Sequence, residues 1–312
     1  MHSRQTIPSM AAILIVSIAF WSNLPLVNYV CLNIMMLFVM LSVIERKFWI
    51  ILGASLIAIV LTSILDTGYN GNIGAFLGLL TFGVVSPAIV AVIINSGRKA
   101  GLAYGAGALI IAAVSVFGYI QGMQEIHAFI DTSRDIALRY TEVQLQTAGF
   151  GAERIAEAKD EMEYIGRLMK RFAPGFLILT GISHLFIQLL CVEWYYMRRD
   201  SYFPGFGNFT YWKTPEYLLY ILGAGLLIRL FSGGYIEIAV DNFLLIFSVV
   251  YGVCGLSLLE YLLRKLKLPL YIKIVFYVGL TLSALGGYLI TVIAGVFDSY
   301  FDYRKVKAHT LG

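Results

Sequence analysis

The chain has 312 residues, of which 59% are hydrophobic and only 13% are charged, and its formal net charge is +4. Soluble domains carry about 25% charged residues, so this composition excludes an ordinary soluble domain. The hydrophobic residues also form long blocks of about 20, which is the length a helix needs to cross a hydrocarbon core of ~30 Å. We therefore expect the lipid bilayer as the first partner and no nucleic-acid partner.

The apolar blocks follow one another along most of the chain. They are roughly 7–26, 28–44, 48–65, 73–96, 101–120, 172–196, 214–231, 236–258 and 269–298. The first is interpreted as a membrane helix rather than a removed signal peptide, because no small-x-small cleavage site follows it. The sequence predicts an all-α polytopic transmembrane bundle of about eight to ten spans with an amphipathic helical insertion.

Basic residues predict how the chain is oriented. With the N-terminus inside, the inside positions hold Arg4, Arg46, Lys47, Arg98, Lys99, Arg198, Arg199, Lys213, Arg264, Lys265 and Lys267. The short outside loops 66–72 and 232–235 hold no Lys or Arg. Cytoplasmic loops are enriched in Lys and Arg, so we expect a multi-pass protein of the cell (inner) membrane with a cytoplasmic N-terminus.

The side of the C-terminus depends on the number of spans. An odd number would place the basic residues Arg304, Lys305 and Lys307 outside, and an even number would place them inside. The last block could divide at Gly286-Gly287, or another block could be re-entrant. The basic residues favour an inside C-terminus.

Segment 121–171 differs from the rest because it carries seven basic and nine acidic residues. Its apolar residues recur at spacings of three and four, which predicts two amphipathic helices, and Gly149 and Gly151 interrupt the pattern. We predict three parts: an N-terminal bundle of about five spans at 1–120, an extracytoplasmic hairpin at 121–171, and a C-terminal bundle of about four spans with a basic tail at 172–312. The hairpin is either a solvated connector or a lid or partner-docking element.

One membrane block carries a line of polar residues. Thr180, His184 and Gln188 are four residues apart in block 172–196, so they share one helix face. This line could bind a substrate or conduct a proton through His184, or it could form interhelical hydrogen bonds that aid packing. Arg229 also has two interpretations. It could pair with Glu237 or Asp241 in a packed hairpin, or its side chain could reach the membrane–water interface without a partner.

Several chemical signals are missing from the sequence. It contains no P-loop, no G-x-S-x-G and no H-E-x-x-H motif, and its cysteines and histidines are scattered. We therefore expect no catalytic residues, no metal site, no cofactor and no enzymatic activity. Active transport would need an ion gradient or a partner ATPase.

The last apolar block ends in "GVFDSYFDYRKVK" (295–307). On a continuing helix Asp298, Asp302 and Lys305 would lie on one face. An Asp302–Lys305 salt bridge there would contribute at most ~0.5 kcal/mol, so stability alone explains little of this pattern.

This stretch, with "YWKTPEYLLY" (211–220) and "DNFLLIFSVVYGVCGLSLLEYLL" (241–263), resembles the YybS-like family of uncharacterised bacterial multi-pass membrane proteins. The residues that carry the resemblance are Trp212, Pro215, Asn242, Gly255, Gly295, Asp298, Asp302 and Arg304. The family is distantly similar to substrate-binding subunits of energy-coupling-factor vitamin transporters and to rod-shape-determining membrane proteins. Those transporter subunits often carry a small-xxx-small alanine motif in the first helix, and this chain has no clean Ala-x-x-x-Ala there.

Two functions are compatible with these features. The first is transport or capture of a small molecule without an ATPase of its own. In it Thr180, His184, Gln188 and Asn242 would contact the substrate, and Asp298, Asp302, Arg304 and Lys305 would form a coupling or docking face for an ATPase module. The second is a non-transporting scaffold of a cell-envelope complex, which would bind envelope proteins through 121–171 and the C-terminal tail.

Overall fold

The computed structural model describes residues 34, 36–37, 39–41, 43–44, 84–96, 100–199 and 205–304. Every regular element within these ranges is helical, which confirms the predicted all-α class. The apolar blocks 7–26 and 48–65 lie outside the described residues. The chain forms two compact units, Met1–Gly205 and Phe206–Gly312.

The helices are numbered here in chain order. They are α1 (Ser86–Asn95), α2 (Ala100–Thr147), α3 (Ala152–Met197), α4 (Tyr217–Phe231), α5 (Gly234–Lys265), α6 (Leu270–Leu282) and α7 (Leu285–Phe301). A short 3-10 helix at Phe209–Tyr211 precedes α4. Within the described ranges, α2, α3 and α5 are long and apolar enough to cross a membrane, and the bent pair α6–α7 is either a broken fourth span or a re-entrant loop.

In the first unit α2 and α3 form a long antiparallel pair. Ion pairs of 2.7 Å between Lys170 and Asp131 and of 2.6 Å between Lys159 and Glu142 join their charged parts. The connection contains Gly149, whose φ of 78° favours glycine. The two helices and their turn agree with the predicted spacing. Beyond the charged segment α3 continues through Pro174 into its apolar part.

In the second unit α7 packs along α5 and runs in the same direction. The Tyr288 hydroxyl lies 2.5 Å from Ser248 Oγ near the start of the contact. Further along, Gly255 faces Gly295 so closely that a Cβ on Gly255 would lie 1.7 Å from Thr291 O. No side chain fits there, so the glycines set how closely the two backbones approach.

A sharp bend separates α6 from α7. The two helices meet at an angle of 111°, and the break is at Ser283-Ala284, just before the predicted division at Gly286-Gly287. Near its start α6 contacts α5 again, since Lys273 Nζ lies 3.5 Å from Glu260 Oε1. In the middle of α6 the Tyr277 hydroxyl also donates to Glu260 over 2.9 Å. The α6–α7 pair therefore begins and ends beside the same C-terminal half of α5.

Candidate functional site

A buried ion pair lies where α7 ends. The side chains of Arg304 and Asp298 are 0% and 1% exposed, and Arg304 Nη2 lies 2.5 Å from Asp298 Oδ2. Arg304 Nε donates to the same oxygen over 3.2 Å. Burying a charge is costly unless it is paired and hydrogen-bonded, and here the carboxylate supplies the counter-charge.

The other guanidinium donors bind two further segments. Arg304 Nη1 donates to Thr210 O over 2.6 Å and to Ser257 Oγ over 2.7 Å. Arg304 Nη2 donates to Trp212 O over 2.6 Å. A guanidinium has five N–H donors, and these contacts use all of them. We call Arg304, Asp298, Ser257, Thr210 and Trp212 the Arg304 cluster.

Local structure in the 206–214 segment directs its carbonyls towards Arg304. Asn208 Oδ1 accepts from Thr210 N over 3.1 Å and so caps the 3-10 helix. Trp212 Nε1 donates to Phe206 O over 3.1 Å. From α5, Ser257 Oγ approaches Phe209 O and Trp212 O within 2.5 and 3.1 Å. Side chains thus hold the segment in a shape that the short helix alone would not maintain.

Polar contacts continue around the cluster. Thr214 Oγ1 forms a hydrogen bond with Ser299 Oγ, and Ser299 Oγ also donates to Gly295 O over 2.9 Å. Lys213 Nζ lies 2.8 Å from Asp302 Oδ1. The second ion pair leaves the whole group without net charge, which lowers the cost of enclosing it among apolar helices.

The predicted polar line of α3 is only partly interior. His184 and Gln188 are 6% and 2% exposed, so both are buried in the first unit. Thr180 is exposed, and its hydroxyl donates to Phe176 O over 2.8 Å. His184 Nδ1 lies 2.6 Å from Thr180 O. Thr180 therefore contributes a carbonyl to His184, while its side chain points elsewhere.

A second charged group lies at the other end of α5. Arg229 Nε lies 2.6 Å from Asp241 Oδ1, and Arg229 Nη2 lies 2.8 Å from Glu237 Oε1. The paired alternative is therefore correct. Neighbouring Asn242 is buried, and its Nδ2 donates to Ile238 O over 2.8 Å.

Most of the chain matches a known protein family. Residues 9–299 match a family described as "Predicted membrane protein (DUF2232)". The chain belongs to the DUF2232 family. No curated protein and no solved structure matches it. The family and the apolar helices show a membrane protein, as the sequence led us to expect; the match does not extend to the YybS-like name or to energy-coupling-factor subunits.

In this DUF2232 chain the predicted site residues fall into both units. Thr180, His184 and Gln188 belong to the first, whereas Asn242, Asp298, Asp302 and Arg304 belong to the second. Lys305 lies outside the described residues.

The predicted geometry of the C-terminal stretch needs correction. The helix does not continue past Phe301, because Asp302 adopts a left-handed conformation with a φ of 46°. Asp302 pairs with Lys213, so the shared face with Asp298 is lost. Asp298 and Arg304 are also buried, whereas a docking face needs exposed side chains.

Sequence reasoning missed two members of the cluster and three residues that surround it. They are Thr210, Lys213, Thr214, Ser257 and Ser299. A single hydroxyl in an apolar run does not indicate a functional site by itself. Trp212 and Pro215, which carry part of the family resemblance, lie close to these residues in the sequence. Where the chain is described, no group of three or more His, Cys, Asp or Glu side chains could hold a metal ion.

Proposed function

We propose that this DUF2232 protein captures or transports a small molecule in the membrane without an ATPase of its own. The observation that carries the proposal is the buried Arg304–Asp298 pair, which joins an apolar helix bundle to the 206–214 segment. Ionisable side chains in membrane segments are rare and mark substrate or ion pathways. Stability is a weak explanation, because apolar residues at such positions are often as favourable as a buried pair.

The second unit has a layout that suits passage of a polar molecule. Charged groups contact both ends of α5, with Asp241 near the start and Ser257 about 24 Å further along the helix axis. Between them lie Ser248 and Tyr251. In the first unit, His184 and Gln188 supply a separate buried polar surface for a substrate. We propose no direct substrate contact for Thr180 or Asn242, although both lie near these polar groups, because their side chains bind the backbone of their own helices.

We further propose that the C-terminus lies in the cytoplasm, in the inner membrane. Support comes from the α6–α7 pair, which starts and finishes beside the C-terminal half of α5. Arg264 and Lys265 at the end of α5 favour the cytoplasmic side. A pair that returns to that side brings Arg304, Lys305 and Lys307 with it. The cytoplasmic N-terminus stays part of the same proposal.

The energy source would be external. No catalytic residue and no cofactor would take part in transport. Asp302 and Lys305 would lie on the cytoplasmic side, where an ATPase module or an ion gradient could be coupled to the bundle. Burial makes Arg304 and Asp298 unsuitable as direct contacts for such a module.

Native mass spectrometry of protein extracted gently from its own membrane tests this proposal. We expect a bound small molecule that is lost on His184→Ala or Gln188→Ala if the first unit holds it. We expect loss on Arg304→Lys if the second unit holds it. Thr180→Ala is the matched control, because the Thr180 hydroxyl is exposed and donates to Phe176 O of its own helix, so the bound mass should remain.

An uptake screen completes this test. A strain lacking the protein should lose saturable uptake of the metabolite found by mass spectrometry. Protein that carries no small molecule, together with unchanged uptake across a broad metabolite panel, would contradict the proposal.

A scaffold of a cell-envelope complex is the second candidate, and the α2–α3 hairpin favours it. Phe129, Ile136, Tyr140 and Val143 are all more than half exposed, although they lie in the charged segment. Their spacings of seven, four and three place them in one stripe of α2. Co-purification of an envelope protein that is lost on Ile136→Asp, but not on Arg139→Asp beside the stripe, would support the scaffold. Isolation of the chain alone would count against it.

A further inference from the structure

The 206–214 segment is bound to the helices behind it through main-chain carbonyls and through the side chains of Lys213 and Thr214. Arg304 holds Thr210 O and Trp212 O, and Ser257 approaches Phe209 O and Trp212 O. The regular structure of the segment is limited to the three-residue helix Phe209–Tyr211, so a change in its conformation would break few helical hydrogen bonds. A segment held this way can be released without unfolding a helix.

The charge balance of the cluster allows such a release. Asp298 belongs to α7 and Arg304 follows that helix, so the ion pair does not include the 206–214 segment. If the segment moves away, Arg304 loses two carbonyl acceptors and keeps its carboxylate. Removing a counter-ion would leave a buried charge uncompensated, and this movement avoids that cost for Arg304 and Asp298. It does separate Lys213, which moves with the segment, from Asp302, but both of these side chains are partly exposed. The freed carbonyls and guanidinium donors would meet water.

The segment covers polar and reactive groups of α5. Ser257 and Tyr251 are fully buried, and Cys254 between them is nearly so. Ser257, one turn after Cys254, contacts the segment directly through Phe209 O and Trp212 O. Movement of the segment would therefore expose this part of α5 to solvent.

We propose that the 206–214 segment is a gate of the second unit and that Arg304 holds it closed. The gate would control access during the transport proposed above, and it rests on that proposed function. In the closed state the guanidinium fork binds Thr210 O and Trp212 O together. In the open state the segment lies away from α5 while Arg304 and Asp298 remain paired.

Cys254 provides a native probe of the gate. The full-length chain is prepared with Cys31→Ser and Cys191→Ser, so that only Cys254 reacts with a charged, water-soluble maleimide. Arg304→Lys keeps the charge beside Asp298, but an ammonium cannot bind both carbonyls as the fork does. We expect Cys254 to be labelled at least about tenfold faster in Arg304→Lys, because hydrogen bonds to a charged group are lost.

Two further variants distinguish opening of the segment from unfolding of the protein. Ser257→Ala removes the hydroxyl that approaches the segment and should also accelerate labelling, without altering any charge. Arg264→Lys is the matched control, because Arg264 is exposed and pairs with Glu260 on its own helix at 2.6 Å. Its labelling rate should equal that of the parent. If Arg304→Lys and Ser257→Ala are both labelled at the parent rate, the segment is not a gate.

A reversible cross-link separates the gate from the transport role. Thr214 and Ser299 are in direct side-chain contact, so cysteines at both positions, with Cys31, Cys191 and Cys254 replaced by serine, can form a disulfide that holds the segment to α7. Oxidation should stop uptake and reduction should restore it. Uptake that continues in the oxidised protein would overturn the gate and leave the transport role standing. Accelerated labelling of Cys254 in a protein without any uptake would support a mobile segment and contradict transport.

Discussion

Charged residues serve the α2–α3 hairpin and the Arg304 cluster in different ways. In the hairpin the ion pairs are exposed or half-exposed, and several join residues three or four positions apart on one helix. In the cluster a single guanidinium joins partners that are 6, 47, 92 and 94 positions away in the chain. Exposed pairs stabilise a structure only slightly, whereas a buried pair becomes very costly when one partner is removed. Replacing a charged residue should therefore cost little stability in the hairpin and much more in the Arg304 cluster.

The largest effect is expected for the buried pair itself. Arg304→Ala should lower the free energy of unfolding by about 3–5 kcal/mol, because it leaves the Asp298 carboxylate buried without a counter-ion. Thermal or denaturant unfolding in detergent measures this change. The double variant Arg304→Ala/Asp298→Ala should lose less than Arg304→Ala alone. If the double variant loses the sum of both single effects, the two side chains do not interact.

The next effect comes from the helix contact beside the cluster. Gly255→Ala should cost about 3 kcal/mol, because its Cβ would overlap Thr291 O and force α5 and α7 apart. Gly223→Ala in α4 is the matched control, since its Cβ would meet no atom within 4 Å. Unfolding of both variants under the same conditions is the measurement. Equal stability of the two variants would rule out close packing at Gly255.

A smaller effect is expected for the hydroxyl pair. Thr214→Val keeps the shape of the side chain and removes its hydrogen bond to Ser299, at a cost of about 1 kcal/mol. Ser299 keeps its second bond to Gly295 O, so the remaining hydroxyl is not left without a partner. Unfolding midpoints in detergent report the difference. A loss as large as that of Arg304→Ala would mean that Thr214 contributes as much to the cluster as the ion pair.

The smallest effect is expected in the hairpin. Arg167→Ala removes a 3.6 Å pair with Glu163 in which both side chains are more than half exposed, so stability should change by at most about 0.5 kcal/mol. The same unfolding assay applies, and raising the salt concentration should abolish the remaining difference. A loss above 1.4 kcal/mol, about tenfold in the folding equilibrium, would remove the contrast between the two regions.

The hairpin and the membrane class were readable from the sequence because both depend on short-range patterns. Residues three and four positions apart share a helix face, so spacing alone predicts the two helices around Gly149 and Gly151. Apolar blocks likewise indicate helices that fit a bilayer. The same local logic failed at Asp302, where it extended a helix that ends at Phe301.

The sequence by itself determined that this is a helical membrane protein with a charged helical hairpin, since composition and periodicity are properties of neighbouring residues. Tertiary structure alone decided the role of Arg304, the burial of Asp298 and the return of α7 alongside α5. Each of these depends on contacts between segments that are far apart in the chain, such as Gly255 with Gly295 and Trp212 with Arg304. Spacing carries no information about such contacts, because it fixes which residues share a face and not which helix that face meets.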